Sequence, residues 1–264
     1  MPVASLENAR QVLHAAKRIV FFTGAGISAE SGIPTFRDAD GLWSKYPSDQ
    51  FGNMSGLLET ARQDSVRFVN FLYDFLAPVV NAAPNSAHHA ISTLQKMKSV
   101  TVVTQNIDGL HQRAGTEDVI EIHGSMFERI NVLTNRIESI SLPELKELLD
   151  RLDALRRNRT SDLDVLMKLY PIVRFDDSGM WLPNVILFGQ NLPVGPWEAA
   201  QQAVRSCDCL VVVGTSRAVF PAASLIDTAR DAYAEIIHVD LEPKGGGLSL
   251  CGSAQSVLPP LCTS

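Results

Sequence analysis

Residues 20–37 read VFFTGAGISAESGIPTFR, and this stretch decides the fold. Val20, Phe21 and Phe22 close an apolar run that begins at Ile19, the composition of a buried strand. Gly24, Ala25, Gly26 and Ile27 follow at once, and Ala29 stands where the third small residue of a G-x-G-x-x-G/A turn belongs. A strand, a tight small-residue turn and a helix start predict a dinucleotide site. Glycine lets the backbone approach a pyrophosphate, and a helix N-terminus favours its negative charge. The same glycines would also serve a turn that needs only their backbone freedom. The continuation Gly32-Ile33-Pro34-Thr35-Phe36-Arg37 narrows the choice. A dinucleotide turn alone has no need of an aromatic and an arginine there, whereas a site that holds a reacting nicotinamide has a use for both.

Apolar strand-like runs recur outward from this stretch, at Ile19–Thr23, Val100–Thr104, Val119–Ile122, Val185–Phe188, Cys209–Gly214 and Ile236–Leu241. Helical patterns lie between most of them, over Ala87–Met97, Pro196–Ser206 and Pro221–Tyr233. Strand and helix in alternation predict an α/β fold, a Rossmann-like parallel sheet with helices on both faces. Ligands of such sheets lie at the carboxyl ends of the strands, which puts Gly24, Gln105, His123, Gly214 and Asp240 on one rim.

Two insertions interrupt the alternation. One holds a polar, glycine-bearing loop (Asp38–Ser55) and a helix through Phe68, Phe71, Leu72 and Phe75. The other carries a leucine stripe at Leu142, Leu145, Leu148, Leu149, Leu152 and Leu155, begun by Ser141 and Pro143, and a shorter stripe at Leu163, Val165, Leu166 and Leu169. The stripes predict a helical hairpin serving core packing. The expected domains are thus a nucleotide-binding one over 1–37, 84–129 and 183–264, and a small helical one over 38–83 and 130–182. The arginines at 151, 156, 157 and 159 read as a solvated helix face.

The chain has 264 residues, a net charge of −6 and no apolar run near the roughly 20 residues that cross a bilayer. The acidic balance argues against a nucleic-acid surface, and no membrane partner is expected. The first residues, MPVASLENARQVLHAAKR, read as an amphipathic helix capped by Ser5 rather than as a secretory leader. The four cysteines, Cys207, Cys209, Cys251 and Cys262, read as free thiols of a reducing, cytoplasmic setting, with the C-x-C pair placing two thiols on one strand face.

TQNIDGLH at 104–111 and IEIHG at 120–124, taken with GAGIS and GIPTFR, resemble the sirtuins, the NAD-dependent protein deacylases. The likeness continues through APNSAH at 83–88, PNVILFG at 183–189, Gly214-Thr215-Ser216 and HVDLE at 238–242. It covers nearly all of the chain outside about 130–182.

The resemblance implies NAD as cosubstrate, an acyl-lysine protein or peptide as partner, and release of nicotinamide and O-acyl-ADP-ribose. It makes His123 the general base that deprotonates a ribose hydroxyl once the acyl oxygen has attacked the anomeric carbon. An imidazole titrating near neutral pH suits that task. Asn106 and Asp108 would orient the nicotinamide end, beside Ile107, and Gln105 the ribose. Phe36 and Arg37 resemble a mobile loop that closes over nicotinamide, with Asp38 where glycine is commoner. Gly24, Ala25, Gly26, Ile27, Thr215 and Ser216 would lie along the phosphates, and Asp240 with Leu241 at the second ribose. An aspartate there disfavours a 2′-phosphate and so NADP. Ser253 and Ala254 would lie against the adenine. Acyl-lysine would run between Val185–Gly189 and Ala218–Phe220, touching His123, Ile186, Phe188, Gly189, Val219 and Phe220. Phe75, Leu76, Ala77 and Pro78, with Tyr73 but no arginine three residues on, favour acetyl or apolar acyl groups.

Sirtuins usually carry a structural zinc held by two C-x-x-C pairs. Counting from the flanking motifs puts these pairs at Asn131 and Thr134 and at Arg174 and Asp177, none of them cysteine. No metal is expected, and the Leu142–Leu169 hairpin is the expected substitute for it. Two other activities remain open at this level: an NAD hydrolase or ADP-ribosyltransferase using the same pocket, and a non-catalytic NAD-binding sensor.

Overall fold

A computed structural model describes residues 4–35, 41–158 and 174–263. In β1 (Arg18–Thr23), Ile19 and Phe21 enter one apolar layer while Val20 and Phe22 enter the other. This two-sided burial is what a central strand of a helix-covered sheet requires. β2 (Ser99–Thr104), β3 (Val119–Glu121), β8 (Cys209–Val213), β9 (Glu235–Asp240) and β10 (Leu248–Cys251) complete a sheet with the order β10-β9-β8-β1-β2-β3. Every pairing in it is parallel. Numbered within the sheet, this is the order 3-2-1-4-5-6 of a doubly wound nucleotide-binding fold, with its switch point between β1 and β8.

The helices Leu6–Ala15, Ser86–Gln95 and Ala254–Cys262 bury Leu13, Ile91 and Leu258 on one face of this sheet. The helices Val194–Ser206 and Ser224–Asp231 bury Val204 and Leu225 on the other. Ser5 caps the first helix, its hydroxyl accepting from the amide of Asn8.

The chain divides into two units: Met1–Ile33, Ala83–His123 and Leu192–Ser264 carry the parallel sheet, and Pro34–Ala82 with Gly124–Asn191 form the second. The expected boundaries at 129 and 183 therefore shift. The cause is an antiparallel sheet of order β5-β4-β7-β6, built from β4 (Gly124–Asn131), β5 (Ile137–Ser139), β6 (Arg174–Asp176) and β7 (Gly179–Val185). The second unit is thus not purely helical, and the Val185–Phe188 run does not join the parallel sheet. β7 pairs instead with β4, Gly124 opposite Val185.

The longer described helices of the second unit are Met54–Gln63, Ser65–Asn81 and Leu142–Asn158, the last two packed together. Leu145, Leu148, Leu149, Leu152 and Leu155 are all buried, as the stripe predicts. The expected second helix of the hairpin, Leu163–Leu169, lies outside the described residues. Tyr46, Phe51 and Phe71 form an aromatic core beside Leu42. Of the basic run, Arg151 and Arg157 are exposed as expected, whereas Arg156 is half-buried and pairs with Asp74 and Asp153; Arg159 lies outside the described residues.

The C-x-C reading also needs correction. Cys207 caps the end of the helix Val194–Ser206 and joins one apolar layer, whereas Cys209 opens β8 and joins the other. Burial pushes their thiols up to about 11 and about 12, so both stay protonated and unreactive.

Candidate active site

All six parallel strands end on one rim, and the turns after β1 and β8 meet there at the switch point. The amide of Gly26 donates to the carbonyl of Gly214 at 2.9 Å, and that of Gly24 to Val213 at 3.0 Å. A Cβ on Gly26 would stand 2.6 Å from the Gly214 Cα, and one on Gly24 2.8 Å from the Gly214 carbonyl oxygen. Gly214 itself has φ +55°. The two turns touch backbone to backbone, so these glycines are required by each other as well as by any ligand.

One expectation for this turn fails. No α-helix follows GAG; two single 3₁₀ turns, Ala25–Ile27 and Ala29–Ser31, stand there, ended by Gly32 at φ +85°. Ser28 stands at the junction of the two turns, fully buried and committed to side-chain bonds inside the unit. Its hydroxyl donates to Asp108 Oδ2 at 2.7 Å and accepts from Asn106 Nδ2 at 3.1 Å. Asn106 Nδ2 also donates to the Gly24 carbonyl, and its amide to Thr104 Oγ1. Asp108 Oδ1 accepts from the Leu110 amide at 2.9 Å. Burial holds the Asp108 carboxyl above its usual range, against the lowering effect of the Leu110 and Ser28 bonds. Ser28 thus ties the GAGIS turn to the QNID turn. The one signal for it in the sequence is a hydroxyl five residues past the end of β1.

Below this layer the Thr23 hydroxyl lies 2.8 Å from that of Thr104 and 3.1 Å from His111 Nε2. His88 and His111 pack edge to face at 5.0 Å, both fully buried and both pushed down in pKa by that burial. Their role is structural support of the rim. Asn85, which caps Ser86–Gln95, reaches the carbonyl of Ile27 and the hydroxyl of Ser31.

His123 lies in the turn between β3 and β4, separated from the end of β3 by Ile122. Its Nδ1 lies 3.0 Å from the carbonyl oxygen of Gln105, whose side-chain amide donates to Thr215 Oγ1 at 2.9 Å. Burial lowers the His123 pKa, partly opposed by the carbonyl bond. Ile107 lies between Asn106 and Asp108 in the same turn. Ser216 is exposed on the rim, and Asp240 ends β9 with its carboxylate 3.6 Å from Lys244 Nζ. Leu241, beside it, is 75% exposed. The Gly252 amide donates to the Asp240 carbonyl, which brings Ser253, the cap of Ala254–Cys262, to the same edge. Hydroxyls and a carboxylate along a rim whose turns leave backbone amides near the switch point suit the phosphates and riboses of a dinucleotide.

The remaining candidates divide between the units. Val219 is half-buried and Phe220 is 74% exposed in the first unit. In the second, Ile186 is half-buried, Gly189 has φ +83°, and the Phe188 amide donates to the Gly52 carbonyl while its ring lies 5.7 Å from that of Trp43. Phe36, Arg37 and Asp38 lie outside the described residues. Among the described residues no cluster of histidine, cysteine and carboxylate side chains is arranged to hold a metal ion. None of their helices is long and apolar enough to cross a membrane.

The fold has counterparts among known proteins. Residues 24–221 match the Sir2 family. Among curated relatives, an NAD-dependent protein deacylase 2 of Archaeoglobus fulgidus is 37% identical over 97% of this chain and 94% of its own. An NAD-dependent protein deacylase of Pseudomonas putida is 38% identical over 98% and 94%. A solved Sir2–p53 peptide–NAD+ complex aligns with TM-score 0.73 at 26% identity, over 97% of this chain and 96% of that one. The fold and site define an NAD-binding protein of the sirtuin type. The chain belongs to the Sir2 family.

Proposed function

We infer that this chain is an NAD-dependent protein deacylase that removes acyl groups from lysine side chains. The observation that carries the reading is the hydrogen bond between His123 Nδ1 and the Gln105 carbonyl. A carbonyl only accepts, so Nδ1 carries the proton and Nε2 keeps its lone pair. The lowered pKa keeps that lone pair free at neutral pH. His123 is therefore set to take a proton at Nε2, as a general base requires.

NAD, when bound, supplies the ribose carbon that accepts the acyl oxygen and the hydroxyl whose proton is removed. Gly24, Ala25, Gly26, Ile27, Gly214, Thr215 and Ser216 would hold its phosphates, and Asp240, Leu241, Ser253 and Ala254 its adenosine end. Gln105, Asn106, Ile107 and Asp108 would position the nicotinamide end, the side chains of Asn106 and Asp108 being fixed by Ser28. Phe36 and Arg37 are assigned the closing loop. Phe220 and Phe188, both exposed, and Ile186, Gly189 and Val219 are assigned to the extended acyl-lysine peptide.

Acetyl and apolar acyl groups are the favoured substrates. Leu76 is buried in the wall of the helix Ser65–Asn81, and the Tyr73 ring carries the Arg156 guanidinium at 3.9 Å. That guanidinium is already paired with Asp74 and Asp153, so it is not free to receive an acidic acyl chain. The test is mass spectrometry of an acetyl-lysine peptide and its succinyl-lysine counterpart incubated with NAD. Loss of acetyl with formation of O-acetyl-ADP-ribose supports the reading. Faster removal of succinyl refutes the acyl preference, and no removal of either with NAD consumed refutes deacylation.

A further inference from the structure

The two places counted for the family's thiol pairs fall on two neighbouring turns of the antiparallel sheet, after β4 and between β6 and β7. The residues there do not fit a zinc ion. Asn131 and Thr134 offer neutral amide and hydroxyl groups, and Arg174 brings a cation.

What stands in their place is a cluster of hydrogen bonds and ion pairs. Asn131 is fully buried. Its Oδ1 accepts from the amides of Leu133 at 3.0 Å and Thr134 at 2.9 Å, which closes the first turn. Its Nδ2 donates to both the carbonyl and the hydroxyl of Ser178, each at 3.1 Å, which joins the first turn to the second. Asp176 organises the second turn. Its Oδ1 accepts from the Ser178 amide at 2.9 Å and the Ser178 hydroxyl at 2.5 Å, and its Oδ2 from the indole of Trp181 at 2.8 Å. Arg174 pairs with Asp176 at 2.8 Å and with Glu138 at 3.1 Å, and its guanidinium lies 4.6 Å from the centre of the buried Trp181 ring. Glu138 also receives Arg129 and Arg136. One buried amide therefore makes four hydrogen bonds, two within one turn and two across to the other. That is the mechanical task of a tetrahedral ion held by two turns.

We propose that this chain closes the paired turns of its antiparallel sheet with a metal-free lock centred on Asn131, at the position where the family's zinc would sit. The lock, more than the leucine helix, holds this end of the sheet, since it directly bridges the ends of β4 and β7 while Leu142–Asn158 packs on Ser65–Asn81. Asn131 acts here as a structural residue with no part in the chemistry of the rim.

Two readouts test this, and neither depends on catalysis. The full chain is produced in zinc-supplemented medium, its metal content is measured by mass spectrometry, and its Tm is read before and after EDTA. Zinc far below one ion per chain and a Tm change under about 1 °C support the lock. One zinc per chain, with a Tm that falls on chelation, overturns it. Asn131→Ala is then compared with Thr134→Ala, a counted thiol position that enters the lock only through its backbone amide, which the substitution keeps. A fall of about 5 °C or more for Asn131→Ala and under about 2 °C for Thr134→Ala is expected. Equal, small shifts overturn the central place of Asn131. Ser178→Ala removes the two bonds of its hydroxyl, to Asn131 and to Asp176, and leaves its backbone carbonyl in place; a fall of about 2–4 °C gives the same reading if Asn131→Ala does not fold, and no shift counts against the lock.

Discussion

His123 Nδ1 lies 3.0 Å from the backbone carbonyl oxygen of Gln105, and this single contact fixes which ring nitrogen is free. Because the acceptor is main chain, no side-chain substitution at residue 105 removes it. The tautomer is built into the approach of β3 to the end of β2.

The pH dependence follows. Burial lowers the His123 pKa below its ordinary value of 6.5, so the unprotonated form persists into mildly acid solution. The acid limb of kcat/KM against pH, measured with an acetyl-lysine peptide, is expected to fall below pH 6.5. A limb centred at or above 7 would show that the ring is stabilised in its charged form and is not the poised base described here.

Ser28→Ala tests the knot behind the nicotinamide end. The change removes the hydroxyl shared by Asp108 and Asn106, leaving a buried carboxylate oxygen without its donor. The expected loss is about 10- to 100-fold in kcat/KM, equivalent to one or two hydrogen bonds, with the circular dichroism spectrum unchanged. Activity within twofold of the parent would assign Ser28 to packing alone.

Gly26 and Gly32 make a contrasting pair. A Cβ at Gly26 meets the Gly214 Cα at 2.6 Å, backbone against backbone, with nothing flexible to yield. Gly26→Ala is expected to cost about 2 kcal/mol or more in urea unfolding and to weaken NAD binding, by forcing the two turns apart. Gly32→Ala meets nothing within 4 Å and bears only the strain of φ +85°, about 1 kcal/mol. Similar losses for the two would mean that the switch-point turns are not as tightly coupled as their geometry implies.

Acid weakens this fold by a route outside the active site. Burial holds both His88 and His238 neutral, their pKa values down to about 4 from 6.5. Between those values the unfolded chain binds more protons than the folded one, so stability falls as pH falls. The slope reaches about 1.4 kcal/mol per pH unit for each histidine. Asp108, raised by burial, acts in the opposite sense for a single proton. Urea midpoints that decline from pH 7 to pH 5 are expected, and a flat profile would contradict the burial of both rings.

The parallel sheet was legible because its strands are short β-branched runs buried on both faces, and β1, β2, β8 and β9 stand close to where those runs lie. β10 was missed because LSLC is brief and follows three glycines, with no alternation to distinguish it from a loop. The antiparallel sheet was missed for a different reason. GSMFERIN mixes sides without a clean period, and its pairing with residues some fifty positions later is a tertiary fact. At the rim the motif residues were legible individually. The links between them were not, because Ser28 to Asp108 and His123 to Gln105 depend on how neighbouring strand ends approach one another. The Asn131 lock was visible in sequence only as a missing cysteine.

Nicotinamide release from NAD, followed with and without an acetyl-lysine peptide in the parent and in His123→Ala, tests the central claim most directly. The account predicts release that requires the peptide in the parent and complete turnover to O-acetyl-ADP-ribose only when His123 is present. Release without peptide would instead indicate NAD hydrolysis or ADP-ribosyl transfer. Full turnover by His123→Ala would contradict the assignment of His123 as the base.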